Sequence, residues 1–208
     1  MRAQIYDTAI SKLTTGWYRE VLDRVGTDVD VLDVGIGTGT ALLGNAEHLV
    51  ASDVRVLGID INEAYIRRCQ KSITDVGLST HVEAKVQSVY DHTDGPYDVV
   101  YFSASFMLLP DPVEALRHVC TLLKPHGTIY FTQTFEERRT ALMEHIKPLL
   151  KRITTIDFGR VTYEDDFVAV LAEADLEVLE MSEMGRKGPR TFRLVAGRPA
   201  PIESAPST

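Results

Sequence analysis

Cysteine is scarce in this chain. Its 208 residues include only Cys69 and Cys120. Neither has a C-x-x-C partner, which argues against a disulfide framework or a thiolate metal ribbon and fits two reduced, half-buried thiols in a cytosolic protein. Long apolar runs are also missing, since no stretch reaches the ~18 consecutive apolar residues of a membrane span. Basic charge is in deficit: 22 Lys and Arg stand against 30 Asp and Glu, for a net charge of −8. That balance disfavours a protein held chiefly by nucleic-acid phosphates, with a local basic patch as the one exception. Histidine is present at positions 48, 81, 92, 118, 126 and 145, but in no HxxxH or HExxH spacing, so no metal is expected. The opening MRAQIYDTAI has neither an apolar signal core nor an Arg-rich amphipathic pattern, which makes the cytoplasm the expected compartment.

What is there is the composition of a folded enzyme-sized domain. With 44% hydrophobic and 25% charged residues, a largely disordered or collagen-like chain is excluded. A chain of this length buries roughly 70% of its unfolded surface and needs no structural metal. One domain is expected over residues 1–198. It has a helical N-terminal segment (1–27) that either covers a site or packs on the sheet, a helical insertion (135–162), and a disordered Pro/Ser-rich tail (199–208).

Short β-rich runs alternate with helical ones. Strands are expected at 29–34, 54–60, 81–87, 97–103, 127–134, 176–184 and 190–198. The helices between them are expected at TALLGNAEHLV, NEAYIRRCQKSITDVG and DPVEALRHVCTLLKP, at about 136–150, and at 163–173. The early strands are nearly continuous apolar runs, as in a parallel sheet covered by helices on both faces, and each is followed by a helix long enough for a right-handed crossover. The last two are joined by a Gly/Pro turn, MGRKGPR, and should pair antiparallel. The fold class is therefore α/β, doubly wound and mostly parallel, with an antiparallel C-terminal hairpin.

The glycine loop carries the chemistry. Strand VDVLDV runs into Gly35, Gly37 and Gly39 and then a helix, and glycines there permit positive φ and let a ligand approach the backbone. The spacing is GxGxG. A dinucleotide fingerprint wants a glycine where Thr40 stands, which weakens a pyrophosphate reading. Asp60 closes the next strand beside this loop, placed to accept from two ribose hydroxyls; its competing role is the N-cap of the following helix.

Asp33-Val-Gly35-Ile-Gly37-Thr-Gly39, Gly58-Ile-Asp60 and Tyr97-Asp98-Val-Val-Tyr-Phe-Ser103 together resemble the class I S-adenosylmethionine-dependent methyltransferases, in particular their single-domain small-molecule and lipid-type members. The resemblance covers about residues 6 to 198 and implies a seven-stranded Rossmann-like sheet with a reversed last strand. It also implies S-adenosyl-L-methionine as cofactor. Gly35, Gly37 and Gly39 would lie under its methionine part and ribose, Asp33 near its amino group, and Asp60 on both ribose hydroxyls, with Ile61 packed on the adenine. Many relatives place an acid after the third strand for the adenine amino group. Here Val86-Gln87-Ser88-Val89 has none, which leaves Ser88 or the backbone of Val89.

Methyl transfer from a sulfonium is an in-line displacement that needs no protein nucleophile, and no triad or carboxylate pair is evident. The fourth strand ends at Ser103-Ala104, small residues that in the family face the transferred methyl. Ser103 thus joins the cofactor-site and catalytic candidates. Phe106 and Met107 then line an apolar acceptor pocket or simply pack. A hydroxyl or ammonium acceptor would need a base, for which Asp91, His92 and Asp94 are the candidates. Tyr6 and Trp17 are candidates for a lid over the substrate pocket.

The insertion carries Arg138, Arg139, Lys147, Lys151, Arg152 and Arg160. It reads either as a dock for an anionic acceptor such as a phospholipid head group, with peripheral membrane contact, or as a solvated face balancing Glu136, Glu137 and Glu144. The rival functions are an NAD(P)-binding oxidoreductase and a non-catalytic methyltransferase-like binding module. The acceptor is expected to be a small molecule or lipid-like.

Overall fold

A computed structural model describes residues 13–136 and 162–200. The expectations for Tyr6, for residues 137–161 of the insertion with their basic side chains, and for the tail after Ala200 therefore lie outside the described residues; Phe135, Glu136 and Pro199, expected in the helical insertion and the tail, are strand residues.

Strands β1 (Asp30–Val34), β2 (Arg55–Asp60), β3 (Val82–Val86), β4 (Tyr97–Ser103), β5 (Leu123–Glu136), β6 (Leu176–Lys187) and β7 (Arg190–Pro199) form one sheet in the order β3-β2-β1-β4-β5-β7-β6. The first five are parallel, and β7 runs antiparallel to both β5 and β6. The order reverses between β1 and β4, and the crevice outside the carboxyl ends of the strands at such a switch point is where open α/β sheets bind ligands. Register brings Asp33 level with Gly58 on β2 and Tyr101 on β4.

Alternation along β1 divides the core into two. Val31 packs beneath helix α1 (residues 13–22), α2 (Thr40–Leu43), α3 (Ala46–Ala51) and α4 (Glu63–Asp75), among Tyr18, Leu49, Val56, Ile66 and Cys69. Leu32 and Val34 face the other layer, with Phe102, Phe131, Leu116 and Phe167, under α5 (Pro112–Thr121) and α6 (Glu164–Glu173). A side-chain period of two, with both faces covered, forces apolar residues at nearly every strand position.

Local chemistry sets the boundaries. The helix expected over TALLGNAEHLV is broken into α2 and α3 at Gly44-Asn45. There Asn45 Nδ2 donates to the carbonyls of Thr15 and Ala41, both at 3.1 Å, and a Cβ on Gly44 would meet Thr15 Cγ2 at 2.8 Å. The helix expected to run to Pro125 stops at Thr121, and β5 begins at Leu123, because Pro125 cannot continue a helix. Asp111 Oδ1 accepts from Glu114 N at 2.9 Å and Pro112 holds the first turn, so α5 starts where its cap dictates.

Candidate functional site

The glycine loop crosses the carboxyl ends of β1 and β2. Its three glycines have φ of 83°, 60° and 71°, but they are not equivalent. A Cβ on Gly35 would lie 2.6 Å from Ser105 Cβ, and one on Gly39 would lie 2.5 Å from Cys69 Sγ, whereas nothing lies within 4 Å of the same position on Gly37. Gly35 and Gly39 are thus required by packing of the chain against itself. Gly37 alone turns its bare face to open space, where a ligand can come against the backbone.

Asp60 braces this loop. Its Oδ2 accepts from Gly37 N at 3.1 Å and its Oδ1 from Asn62 N at 2.8 Å. The cap of α4 is Asn62, whose side chain accepts from Ala64 N and Tyr65 N at 3.0 and 3.2 Å. The capping alternative for Asp60 is thereby corrected: it is a loop brace, and each carboxylate oxygen retains a lone pair for a further donor. Ile61 next to it is 78% exposed, and Val86, beside Asp60 on β3, is 51% exposed. Each offers apolar surface to solvent beside Asp60. Beyond β3, Ser88 Oγ accepts from Tyr90 N at 3.3 Å and caps a single 3-10 turn, Val89–Asp91. The Val89 side chain is buried in the second core, so only its backbone can face a ligand.

Asp33 is fully buried on the same side. Its Oδ2 accepts from Tyr18 Oη at 2.7 Å, while Oδ1 has no hydrogen-bond partner among the described residues. Burial, opposed by the Tyr18 hydrogen bond and reinforced by the nearby charge of Asp60, pushes its carboxyl up to about 7. Burial and the neighbouring Asp33 hold the Tyr18 phenol well above its usual range. Tyr101 stands edge-on to Tyr18 at 4.9 Å between centroids and shares a 2.8 Å hydrogen bond with Thr132 Oγ1. The Ser103 hydroxyl lies beside both phenols. The sequence reading passed over Tyr101, although alternation along YDVVYFS places it on the face of Ser103.

Beyond Ser103 the backbone turns sharply. Ala104 has φ 55°, donates its N–H to Thr132 O at 2.8 Å, and so delivers the Ser105 hydroxyl to the carbonyl of Val34. A left-handed non-glycine residue at a strand end is a strained position of the kind found at functional sites.

Several candidates do not survive. Phe106 is 1% exposed and sits in an aromatic cluster with Phe102, Phe131 and Phe167 at centroid distances of 5.3, 4.9 and 5.7 Å. It is core, not pocket wall. Met107 is half-buried and packs against that cluster.

His92 is fully buried. Its Nε2 meets Tyr97 Oη at 2.9 Å, and its Nδ1 meets Gln87 Oε1 at 3.1 Å, an acceptor that calls for a proton on Nδ1. Its carbonyl accepts from His118 Nε2 at 2.7 Å, and burial lowers its pKa. Tyr97 opens β4 whereas Ser103 ends it, so His92 is a structural link between layers and is corrected as a catalytic candidate. Asp91 is exposed, and Asp94 faces Lys85 at 3.7 Å in the solvated loop before β4; neither is brought to Ser103.

Trp17 is 5% exposed and tilts against Phe192 at 5.8 Å, with its indole N–H unpartnered among the described residues. Phe192 pairs with Thr134, beyond Thr132 at the carboxyl end of β5, so Trp17 lies at the correct edge but as a packed side chain.

A cleft of about 430 Å³ opens at the opposite edge of the sheet and includes Asp30, Arg55, His81 and Tyr97 in its walls. Its charges are spent on each other: Arg55 pairs with Asp28 and Asp30 at 2.8 Å each, and Lys124 with Asp30 and Asp98 at 3.1 and 2.7 Å. The glycine-loop edge, with the open face of Gly37 beside Asp60, is therefore the better site.

Comparison with known proteins agrees with this geometry. A family model described as a methyltransferase domain matches residues 26–175. A ubiquinone biosynthesis O-methyltransferase of Nitrosospira multiformis is 27% identical over 161 residues, covering 74% of this chain and 65% of its own. A nocamycin O-methyltransferase of Saccharothrix syringae is 37% identical over 135 residues, 62% of this chain and 47% of its own. The chain thus spans about two thirds or less of these relatives.

Among solved structures, a SAM-dependent methyltransferase from Aquifex aeolicus superposes with TM-score 0.67 at 21% identity, covering 86% of this chain and 88% of its own. The [4+2]-cyclase SpnF does so with TM-score 0.70 at 15% identity, covering 93% and 82%. At such identities the likeness is one of fold. With the family model spanning most of the sheet and its glycine loop, the chain belongs to the class I S-adenosylmethionine-dependent methyltransferases.

Proposed function

We propose that this chain is a cytoplasmic enzyme that binds S-adenosyl-L-methionine across the glycine loop and methylates a hydroxyl of a small-molecule acceptor. The observation that carries the cofactor reading is the open face of Gly37 beside a carboxylate whose two oxygens keep free lone pairs. Asp60 would hold the ribose hydroxyls, Ile61 the adenine face, the Val89 backbone and Ser88 its edge, and Asp33 the amino group through its unpartnered Oδ1. The bound cofactor supplies an electrophilic methyl on a sulfonium.

The protein's part is alignment and exclusion of water. Ser103 and the strained Ala104 set the floor at the end of β4, with Met107 on its rim and Trp17 under the far side. The relatives' names support an oxygen acceptor; the acceptor itself is identified by assay.

The test is calorimetric titration with S-adenosylmethionine, S-adenosylhomocysteine and NADH. Micromolar binding of the adenosyl compounds without NADH binding is the expected result. Binding of NADH alone would favour the oxidoreductase reading, which Thr40 in the third glycine slot already disfavours. Because the SpnF cyclase has this fold, turnover is then sought with radiolabelled methyl donor and phenol and enol acceptors. Cofactor binding without turnover of any acceptor would favour a binding module.

A further inference from the structure

The carboxyl of Asp33 is fully buried, receives one hydrogen bond from Tyr18, and has no partner at Oδ1 among the described residues. A buried carboxylate with an open acceptor and no cation is an unstable arrangement, because a charge removed from water must be paired or neutralised. The groups facing it come from every neighbouring element. They are the Tyr18 phenol on α1, the Tyr101 phenol on β4, the Cys69 thiol on α4 and the Asp60 carboxylate on β2. None is a cation. Asp60 adds a like charge. Asp33 also lies one residue below the turn into the glycine loop, where a ligand spread over Gly37 brings its own charge.

We propose that Asp33 carries a proton before the cofactor binds and releases it to solvent when the ammonium of the cofactor's amino-acid end settles near Oδ1. Cofactor affinity is then coupled to pH. The inference rests on the cofactor reading above. The exchange balances: a neutral carboxyl and an ammonium become a carboxylate paired with that ammonium, plus one proton in solution. The proton held near neutrality fits this exchange.

The experiment is calorimetry of S-adenosylhomocysteine binding to the full chain in buffers of different ionisation enthalpy, so that protons exchanged are counted directly. Close to one proton is expected to leave at about pH 6 and almost none at about pH 8, with affinity falling about tenfold per unit below about pH 7. The analogue 5′-methylthioadenosine, which has no ammonium, should bind without releasing a proton. The Tyr18→Phe variant removes the donor that steadies the carboxylate, and should carry proton release to higher pH.

Binding of S-adenosylhomocysteine with no proton exchange at about pH 6 overturns the inference and leaves the cofactor reading standing. Equal release with the ammonium-free analogue, or an unchanged profile in Tyr18→Phe, also overturns it. Absence of any binding overturns the cofactor reading itself, and the inference with it.

Discussion

At the scale of the residue, Asp60 has two tasks, and they can be separated. It ties Gly37 N and Asn62 N through its two oxygens, and its remaining lone pairs face the proposed ribose. Asp60→Ala is expected to weaken S-adenosylhomocysteine binding by about tenfold to a few hundredfold, the span of one or two charged hydrogen bonds. It should also cost about 1–2 kcal/mol of stability, because two backbone donors lose their acceptor. Titration and a thermal melt on the same sample check both. Lost stability with unchanged affinity would leave Asp60 as a brace alone. The sequence pattern gave the position of this acid and the ligand-facing logic of the loop. It could not distinguish Gly37 from Gly35 and Gly39, since their Cβ obstacles are Ser105 and Cys69, which only the fold brings close.

At the scale of the element, the informative pair is the 3-10 turn Phe106–Leu108 and helix α1. Phe106 follows small residues at the end of β4, so the sequence offers it equally as pocket wall and as core. The rotation set by Ala104 at φ 55° turns it into the aromatic cluster. Phe106→Ala is therefore expected to cost about 3–5 kcal/mol and lower Tm by on the order of 10 °C. Met107→Ala should change stability far less and show its effect in KM for the acceptor. Equal loss of stability in both variants would contradict the assignment.

Helix α1 is similarly ambiguous in sequence, amphipathic enough for a lid or a packed helix. The described part is packed: Trp17, Tyr18, Val21 and Leu22 are all buried, Tyr18 is bonded to Asp33, and Arg24 just beyond pairs with Glu180 on β6 at 3.0 Å.

For the whole molecule, the buried Asp33 links stability to pH. Its folded-state pKa, about 7, lies above the ordinary 3.8, so the folded state holds this proton more tightly than the unfolded chain. Stability from that source is complete below pH 3.8, declines as pH rises through the interval, and is gone above about 7. Ion-paired carboxylates such as Asp30 and Glu180, held low, move stability the other way. The comparison of the chain with Asp33→Asn isolates the buried group. The variant, which keeps an oxygen for Tyr18, should be more stable by a few kcal/mol near pH 8 and nearly equal near pH 4. Denaturant melts at the two pH values measure it; a constant difference across pH would show that Asp33 is already ionised in the folded chain.

What the sequence determined by itself is the class of fold and the edge at which it works. Apolar strands alternating with crossover-length helices, a Gly/Pro turn between the last two strands, glycines after β1 and an acid after β2 all act through near neighbours in the chain. Their consequences can be read from spacing. What only the tertiary structure decided is which side chains meet across that edge. His92 left the list of bases because Gln87 and Tyr97 fix both its ring nitrogens. Phe106 left the pocket because three distant phenylalanines enclose it. Tyr18 and Tyr101 joined Asp33 because helix α1 folds back over β1 and β4. Burial and hydrogen-bond partnership belong to residues far apart in sequence, and they set the charge a carboxyl or imidazole carries. Local pattern can place such a group, but its protonation waits for the packed fold.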